Sequence, residues 1–119
     1  MKLTKKPSLR EKKRYIYFKV HSSGNLKYFD LKNSILNSVL DLVGELGFAE
    51  ANPHLVKNLW DEKNKAGVIR CSHRSADKIK LALSLIHQIG EEKVILQTIR
   101  VSGTIKGTGK NQRRGSYSL

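Results

Sequence analysis

Hydrophobic and polar side chains alternate strictly over residues 14–21. Ile16, Phe18 and Val20 fall on one side of the chain, Tyr15, Tyr17 and Lys19 on the other. A period of two is that of a half-buried strand, here with the apolar face inward and a tyrosine-bearing face outward. Residues 22–25, Ser-Ser-Gly-Asn, read as a turn-rich loop, after which the period becomes helical. Ile35, Val39, Leu42 and Leu46 recur on one face, widened by Leu36, Leu40 and Val43, while Asn33, Asn37, Asp41 and Glu45 keep the other polar. The spacing predicts an amphipathic helix over 31–46, with Asp30 as its N-cap and Gly47 ending it in a left-handed conformation. Gly44, inside that span, is tolerated at some cost. Residues 55–60 and 66–71 read as a hairpin around the polar turn 62–65. Ser75 is placed to cap a second helix with Ile79, Ala82, Leu83, Ile86 and Ile89 as its stripe and Gly90 closing it. Residues 94–105, rich in β-branched side chains, read as a last long strand with Ile95, Ile99 and Val101 on one face.

The order is β-α-β-β-α-β. Two right-handed split crossovers make this an α+β, ferredoxin-like sandwich: a four-stranded antiparallel sheet, spatial order 4-1-3-2, with both helices on one face. The first strand is then central, and Tyr15 and Tyr17 lie on the face without helices. RNA recognition domains share this architecture. The body spans 14–106, flanked by a basic arm over 1–13 and a basic, pattern-free tail over 107–119, expected to stay disordered until a partner orders it.

Composition narrows the function. A chain of 119 residues is one domain by length, with a core large enough to need no staples. One cysteine, Cys71, excludes an internal disulfide and a cysteine-rich metal site, which fits a reducing, cytoplasmic compartment. No stretch has the length or apolarity of a signal peptide or membrane span, so no membrane partner is expected. The net charge of +13 is unevenly spread. Residues 1–14 hold seven Lys/Arg against one Glu, residues 100–119 hold five and no acid, and the 85 residues between hold eleven against nine. A nearly neutral body with two cationic ends suits a polyanion that extends beyond it better than it suits mere solubility.

The candidate chemistry is that of binding. Outward aromatics on two central strands would stack on bases, but residues 66–71 bring no aromatic to match Tyr15 and Tyr17, so the platform is incomplete. Recognition through phosphates and shape needs only Lys and Arg. Arg70 and Arg74 stand at one edge of the body, before a helix whose free amides would add to their pull on a phosphate. Trp60 reads as packing. The four histidines have no metal-ligand spacing, the carboxylates form no acid/base pair, and Cys71 reads as a core residue. Gly103, Gly107 and Gly109 are not followed by a helix pattern that would make them a phosphate loop. Acylphosphatases share the β-α-β-β-α-β order, but the loop after the first strand here has one Gly and no Arg.

Four stretches carry a family resemblance: Leu9-Arg10-Glu11-Lys12-Lys13-Arg14-Tyr15-Ile16, Gly44-Glu45-Leu46-Gly47, Gly67-Val68-Ile69-Arg70-Cys71 and Val101-Ser102-Gly103-Thr104-Ile105-Lys106. Over residues 9–106 the chain resembles archaeal ribonuclease P protein component 2, related to a small eukaryotic subunit shared by ribonucleases P and MRP. The resemblance implies a non-catalytic subunit of the ribonucleoprotein that removes the 5′ leader from precursor tRNA. The chain itself would carry no cofactor and no active site, and the RNA would perform the Mg²⁺-dependent hydrolysis. Implied partners are ribonuclease P RNA, precursor tRNA and a TIM-barrel-type protein subunit, with self-association into a two-plus-two assembly. On that reading the phosphate contacts are Lys5, Lys6, Arg10, Lys12, Lys13, Arg14, Arg70, Arg74, Lys106, Lys110, Arg113 and Arg114, and Tyr15 and Tyr17 face a protein. The alternatives are a stand-alone RNA-binding module and a small acylphosphatase-like enzyme.

Overall fold

The computed structural model describes residues 12–105. Along the chain run β1 (Lys13–Ser22), α1 (Tyr28–Ala51), β2 (His54–Leu55), β3 (Ala66–Ser72), α2 (Ala76–Leu85), β4 (Gln88–Ile89) and β5 (Glu92–Ser102). Short 3₁₀ turns occupy Lys57–Leu59 and His73–Ser75. The strands form one antiparallel sheet in the order β2-β3-β1-β5-β4, so the strongly alternating β1 is the middle strand. Ile16, Phe18 and Val20 pack with Ile69 and Cys71 of β3 and Val94 and Leu96 of β5. Onto this face fold Leu31, Ile35 and Val39 of α1 and Ile79, Ala82 and Leu83 of α2. Both helices therefore cover the same side of the sheet. They are also tied to each other, Ser38 Oγ donating to the Ala82 carbonyl at 2.8 Å. No helix among the described residues is long and apolar enough to cross a membrane.

The sheet has five strands, not four. Helix α2 stops at Leu85, and Gly90, at φ 62°, turns the chain so that Gln88 and Ile89 pair with Lys93 and Glu92. A glycine at the first central position of a two-residue hairpin loop reaches positive φ without a Cβ penalty. The apolar residues Ile86 and Ile89 satisfy a helical stripe and an edge strand equally well, and the turn decides between them.

Helix α1 differs at both ends from its expected span. It begins at Tyr28 after Lys27, with no side-chain cap, and Asp30 lies within its first turn. Tertiary contacts anchor this end: the Tyr28 hydroxyl donates to the Leu55 carbonyl at 3.2 Å, and its ring lies 6.4 Å from that of Trp60. Gly47 does not end the helix. Gly44 interrupts it instead, at φ 76° and ψ 179°, a conformation open essentially to glycine alone. Helix resumes to Ala51, where Asn52 in the left-handed region donates its N–H to Phe48 O at 2.8 Å. Ser75 precedes α2 as expected, yet its hydroxyl makes no cap bond and the residue is buried.

Two strands also depart from the sequence reading. Residues 55–60 form only the end of β2 and the 3₁₀ turn, joined back to β3 by the Val56 N–H to Val68 O bond and by an isolated bridge between Asp61 and Ala66. In β5 the buried residues are Val94 and Leu96, while Ile95 is 68% exposed. A register shift opposite Tyr17 and Phe18 leaves Ile99 without a partner on β1, so Ile95 and Val101 come to opposite faces. The expected arm up to residue 11 and the tail over 107–119 lie outside the described residues. So do Lys5, Lys6, Arg10, Lys106, Lys110, Arg113 and Arg114.

Candidate nucleic-acid interface

Burial of Ile16, Phe18 and Val20 forces the alternate residues of β1 onto the helix-free face. The register extends that face across the sheet. Tyr15 stands between Arg70 of β3 and Ser102 of β5; Tyr17 stands between Val68 and Arg100; Lys19 faces Gln97. His54 of β2 lies beside Arg70, and Lys13 beside Ser72. His21 Nε2 and Gln97 Oε1 are 2.8 Å apart. None of these outward strand residues is acidic, so the face is cationic with two half-buried tyrosines set among the charges.

One corner concentrates the charge. The 3₁₀ turn that carries Arg74 is stitched to the start of β1 by the His73 backbone N–H, which donates to Lys12 O at 2.8 Å; His73 Nδ1 lies 3.2 Å from the same carbonyl. Lys12 and Lys13 thus sit beside the turn bearing the exposed Arg74, with Arg70 one register step away. Arg14 takes the rim of the other face: it lies across from Cys71, and its Nη1 donates to Lys13 O at 3.1 Å. The local field registers on His54. Partial burial first, then the charges of Arg70, Lys13 and Lys32, hold its imidazole below the usual histidine range. An approaching anion would relieve that repulsion.

Arg74 does not share a clean helix terminus. Asp77 occupies the first turn of α2, and Lys80 Nζ is 3.4 Å from its carboxylate. Val68, the β3 residue opposite Tyr17, is fully buried and aliphatic, so no aromatic partner for stacking is present there. Trp60 packs against the core cluster and over Gly67. Cys71 is buried, and that burial, slightly offset by Arg14, pushes its thiol up to about 11, which leaves it protonated and inert at neutral pH. Among the described residues no three His, Cys, Asp or Glu side chains gather into a metal site.

The sequence profile of the Rpp14/Pop5 family matches residues 14–112. The chain belongs to that family. A relative named ribonuclease P protein component 2, from Pyrococcus furiosus, is 42% identical over 100 residues, 84% of this chain and 82% of its own length. A protein of the same name from Methanocaldococcus jannaschii is 40% identical over 100 residues, 84% of this chain and 72% of its own. Among solved structures, a chain in the cryo-EM structure of yeast ribonuclease MRP superposes with a TM-score of 0.62 at 11% identity. It covers 92% of this chain and 98% of that one, a likeness of fold.

The stretches that carry the family resemblance are scattered in sequence and adjacent in space. Arg14 and Tyr15 lie directly opposite Cys71 and Arg70, and Tyr15 faces Ser102 on its other side. A Cβ on Gly103 would come 3.6 Å from Arg14 Nη1. Gly67 sits in a tight spot, since a Cβ there would lie 3.1 Å from both the Phe18 and Trp60 rings and press on them. Three of the four stretches therefore meet at one end of the sheet, at the basic corner. The fourth contains the Gly44 break in α1.

Of the twelve cations expected to meet phosphate, the structure describes Lys12, Lys13, Arg14, Arg70 and Arg74, and it gathers all five at this corner. It adds Lys19, His54 and Arg100 on the sheet face, which the sequence reading missed. Lys19 was legible, being in phase with Tyr15 and Tyr17. The bulge at Ile99 hides the phase of Arg100, and His54 joins the face only through strand pairing.

Proposed function

We propose that this chain is a non-catalytic protein subunit of ribonuclease P, which holds the catalytic RNA through its basic corner and sheet face during removal of the 5′ leader from precursor tRNA. The observation that carries the reading is the convergence of three family stretches at the corner formed by Lys12, Lys13, Arg14, Arg70 and Arg74. Its relatives bear the name of a ribonuclease P component. A folded RNA resists compaction because its phosphates repel, and a fixed cluster of cations lowers that cost where it docks. The fold is read as ferredoxin-like, with β4 as an added edge strand. Hydrolysis and its Mg²⁺ belong to the RNA. The other partners on this reading are precursor tRNA and a TIM-barrel-type protein subunit, in a two-plus-two assembly in the cytoplasm, with the cations of the basic arm 1–13 and tail 107–119 adding to the phosphate contacts. The face bearing Tyr15 and Tyr17, expected from sequence to meet protein, is assigned here to RNA because its neighbours are Arg70, Arg100 and Lys19. The test is to recover the tagged chain from its native cells and sequence the RNA bound to it. Enrichment of ribonuclease P RNA is expected; recovery of ribosomal or messenger RNA without it would overturn the proposal.

A further inference from the structure

Strand β2 is only two residues long, and it carries His54 to a rim of the sheet where four elements meet. His54 pairs with Arg70 of β3, and Arg70 lies across from Tyr15 of β1, two residues beyond Lys13. Helix α1 reaches the same rim. The Tyr28 hydroxyl donates to the carbonyl of Leu55, the neighbour of His54, and Lys32 follows Tyr28 by one turn on the same helix face. Arg70, Lys13 and Lys32 therefore converge on one exposed imidazole, and the charges that act on it are all positive.

The tautomer of that ring is fixed. Its Nε2 lies 3.1 Å from Asn52 Oδ1. The amide oxygen can only accept, so Nε2 carries the hydrogen and neutral His54 presents a bare Nδ1. Asn52 is itself held in place, in the left-handed region at φ 47°, with its N–H donating to Phe48 O at 2.8 Å. A bare nitrogen lone pair repels a phosphate oxygen, whereas an imidazolium Nδ1–H donates to it. Partial burial, then the three cations, disfavour that second proton in the free protein, and an arriving anion offsets them.

We infer that His54 is a proton-gated ligand for an RNA backbone phosphate, which Arg70, Lys13 and Lys32 draw to this rim and to which the protonated ring donates from Nδ1. Docking takes up one proton from solvent, and the bond formed is a charge-assisted N–H···O⁻ contact to a non-bridging phosphate oxygen. The inference deepens the ribonucleoprotein reading and rests on it for the identity of the anion as RNA.

The test uses the full chain, labelled at the histidine rings and titrated by NMR over pH 5–8. It is measured alone, with a short RNA hairpin of arbitrary sequence, and with sodium sulfate at matched ionic strength. The hairpin is expected to raise the His54 midpoint by about one pH unit, which corresponds to about a tenfold tightening of RNA binding on acidification. That tightening is complete below the free-state midpoint and lost as pH rises through the bound-state one. His54→Gln should lose it, whereas His73→Gln and His21→Gln should keep it. His54→Lys, a permanent cation, should bind tightly at pH 8 without the response. His54 is exposed, and thermal unfolding of each variant separates loss of contact from loss of fold. An unmoved His54 midpoint with RNA bound, or a pH response that survives in folded His54→Gln, would overturn the inference. A midpoint moved equally by sulfate would mark a small-anion site and overturn the RNA assignment. Failure to recover ribonuclease P RNA from cells would defeat the functional reading alone, because the hairpin tests the phosphate contact without it.

Discussion

Replacing Lys12, Lys13, Arg70 and Arg74 together with Ala removes four charges from the basic corner without opening the core. Lys12, Lys13 and Arg74 are exposed and Arg70 half-buried, and none belongs to the core cluster. Arg14 is left in place because it lies across from buried Cys71. Each cation that neutralises a phosphate releases counterions, contributing about 0.7–0.9 to the slope of log affinity against log salt. Removing four such cations should flatten that slope by about 3. Between 50 and 200 mM KCl the variant should then lose roughly 60-fold less affinity than the native chain, a span that follows from that slope. The assay is fluorescence anisotropy of labelled ribonuclease P RNA over a salt series, with thermal unfolding as a check on the fold. A second variant, with Lys27, Lys63, Lys78 and Lys80 changed to Ala, removes the same charge from the loop, turn and helix side. If both quadruple variants flatten the slope equally, the corner is only part of a diffuse positive field, and the assignment of a localised interface is refuted.

Three further predictions follow from single groups. The imidazole of His54 should titrate below about 6.5, and Arg70→Ala should move it back up, since Arg70 is the leading charge holding it down. Because the folded state favours neutral His54, its contribution to stability is present above the unfolded value of about 6.5 and is lost as pH falls through the lower folded value. NMR titration of the ring decides this, and a midpoint at or above the ordinary value counts against the charged corner. Cys71, with its thiol pushed up to about 11, should react with a disulfide reagent at pH 8 only through unfolding. Denaturant should accelerate the reaction in step with loss of helical signal, and reaction at the rate of a free thiol would contradict the burial. Lys65 Nζ donates to Ser22 O, Ser22 Oγ and Gly24 O at 3.0, 3.0 and 2.6 Å, clipping the loop after β1 to the turn before β3. Lys65→Met should cost about 1–3 kcal/mol in urea unfolding, the range for leaving partly buried acceptors unpaired; no change would show that water replaces the clip.

Local period and composition suffice for those parts of the protein that short-range preferences control. The alternation in β1 is strong because a central strand, with helices on one face and solvent on the other, must separate its two faces. Ile16, Phe18 and Val20 therefore announce both the core and, by exclusion, the outward tyrosines. The helical stripe of the second helix at Ile79, Ala82 and Leu83 was legible for the same reason, but of the first helix's stripe only Ile35 and Val39 are buried, joined by Leu31 one turn earlier, while Leu42 and Leu46, next to and beyond the break at Gly44, are exposed. Where local preferences are degenerate, the folded arrangement makes the choice. The pattern points to Gly47 as the end of the first helix and to Gly44 as tolerated inside it; the structure puts the break at Gly44 and resumes the helix to Ala51, with Phe48 and Ala51 packed against the core. In β5 the hairpin turn at Gly90 and the bulge at Ile99 set the register, and a one-residue slip exchanges the faces of a strand, which is why Ile95 points outward and Val94 inward. The basic corner is the clearest case. Arg70 and Arg74 are close along the chain and read together in the sequence, but Arg14, Lys12 and Lys13 are far from them in sequence and join them only because β1 pairs with β3 and His73 binds Lys12. Strand pairing is a long-range choice that no local window contains.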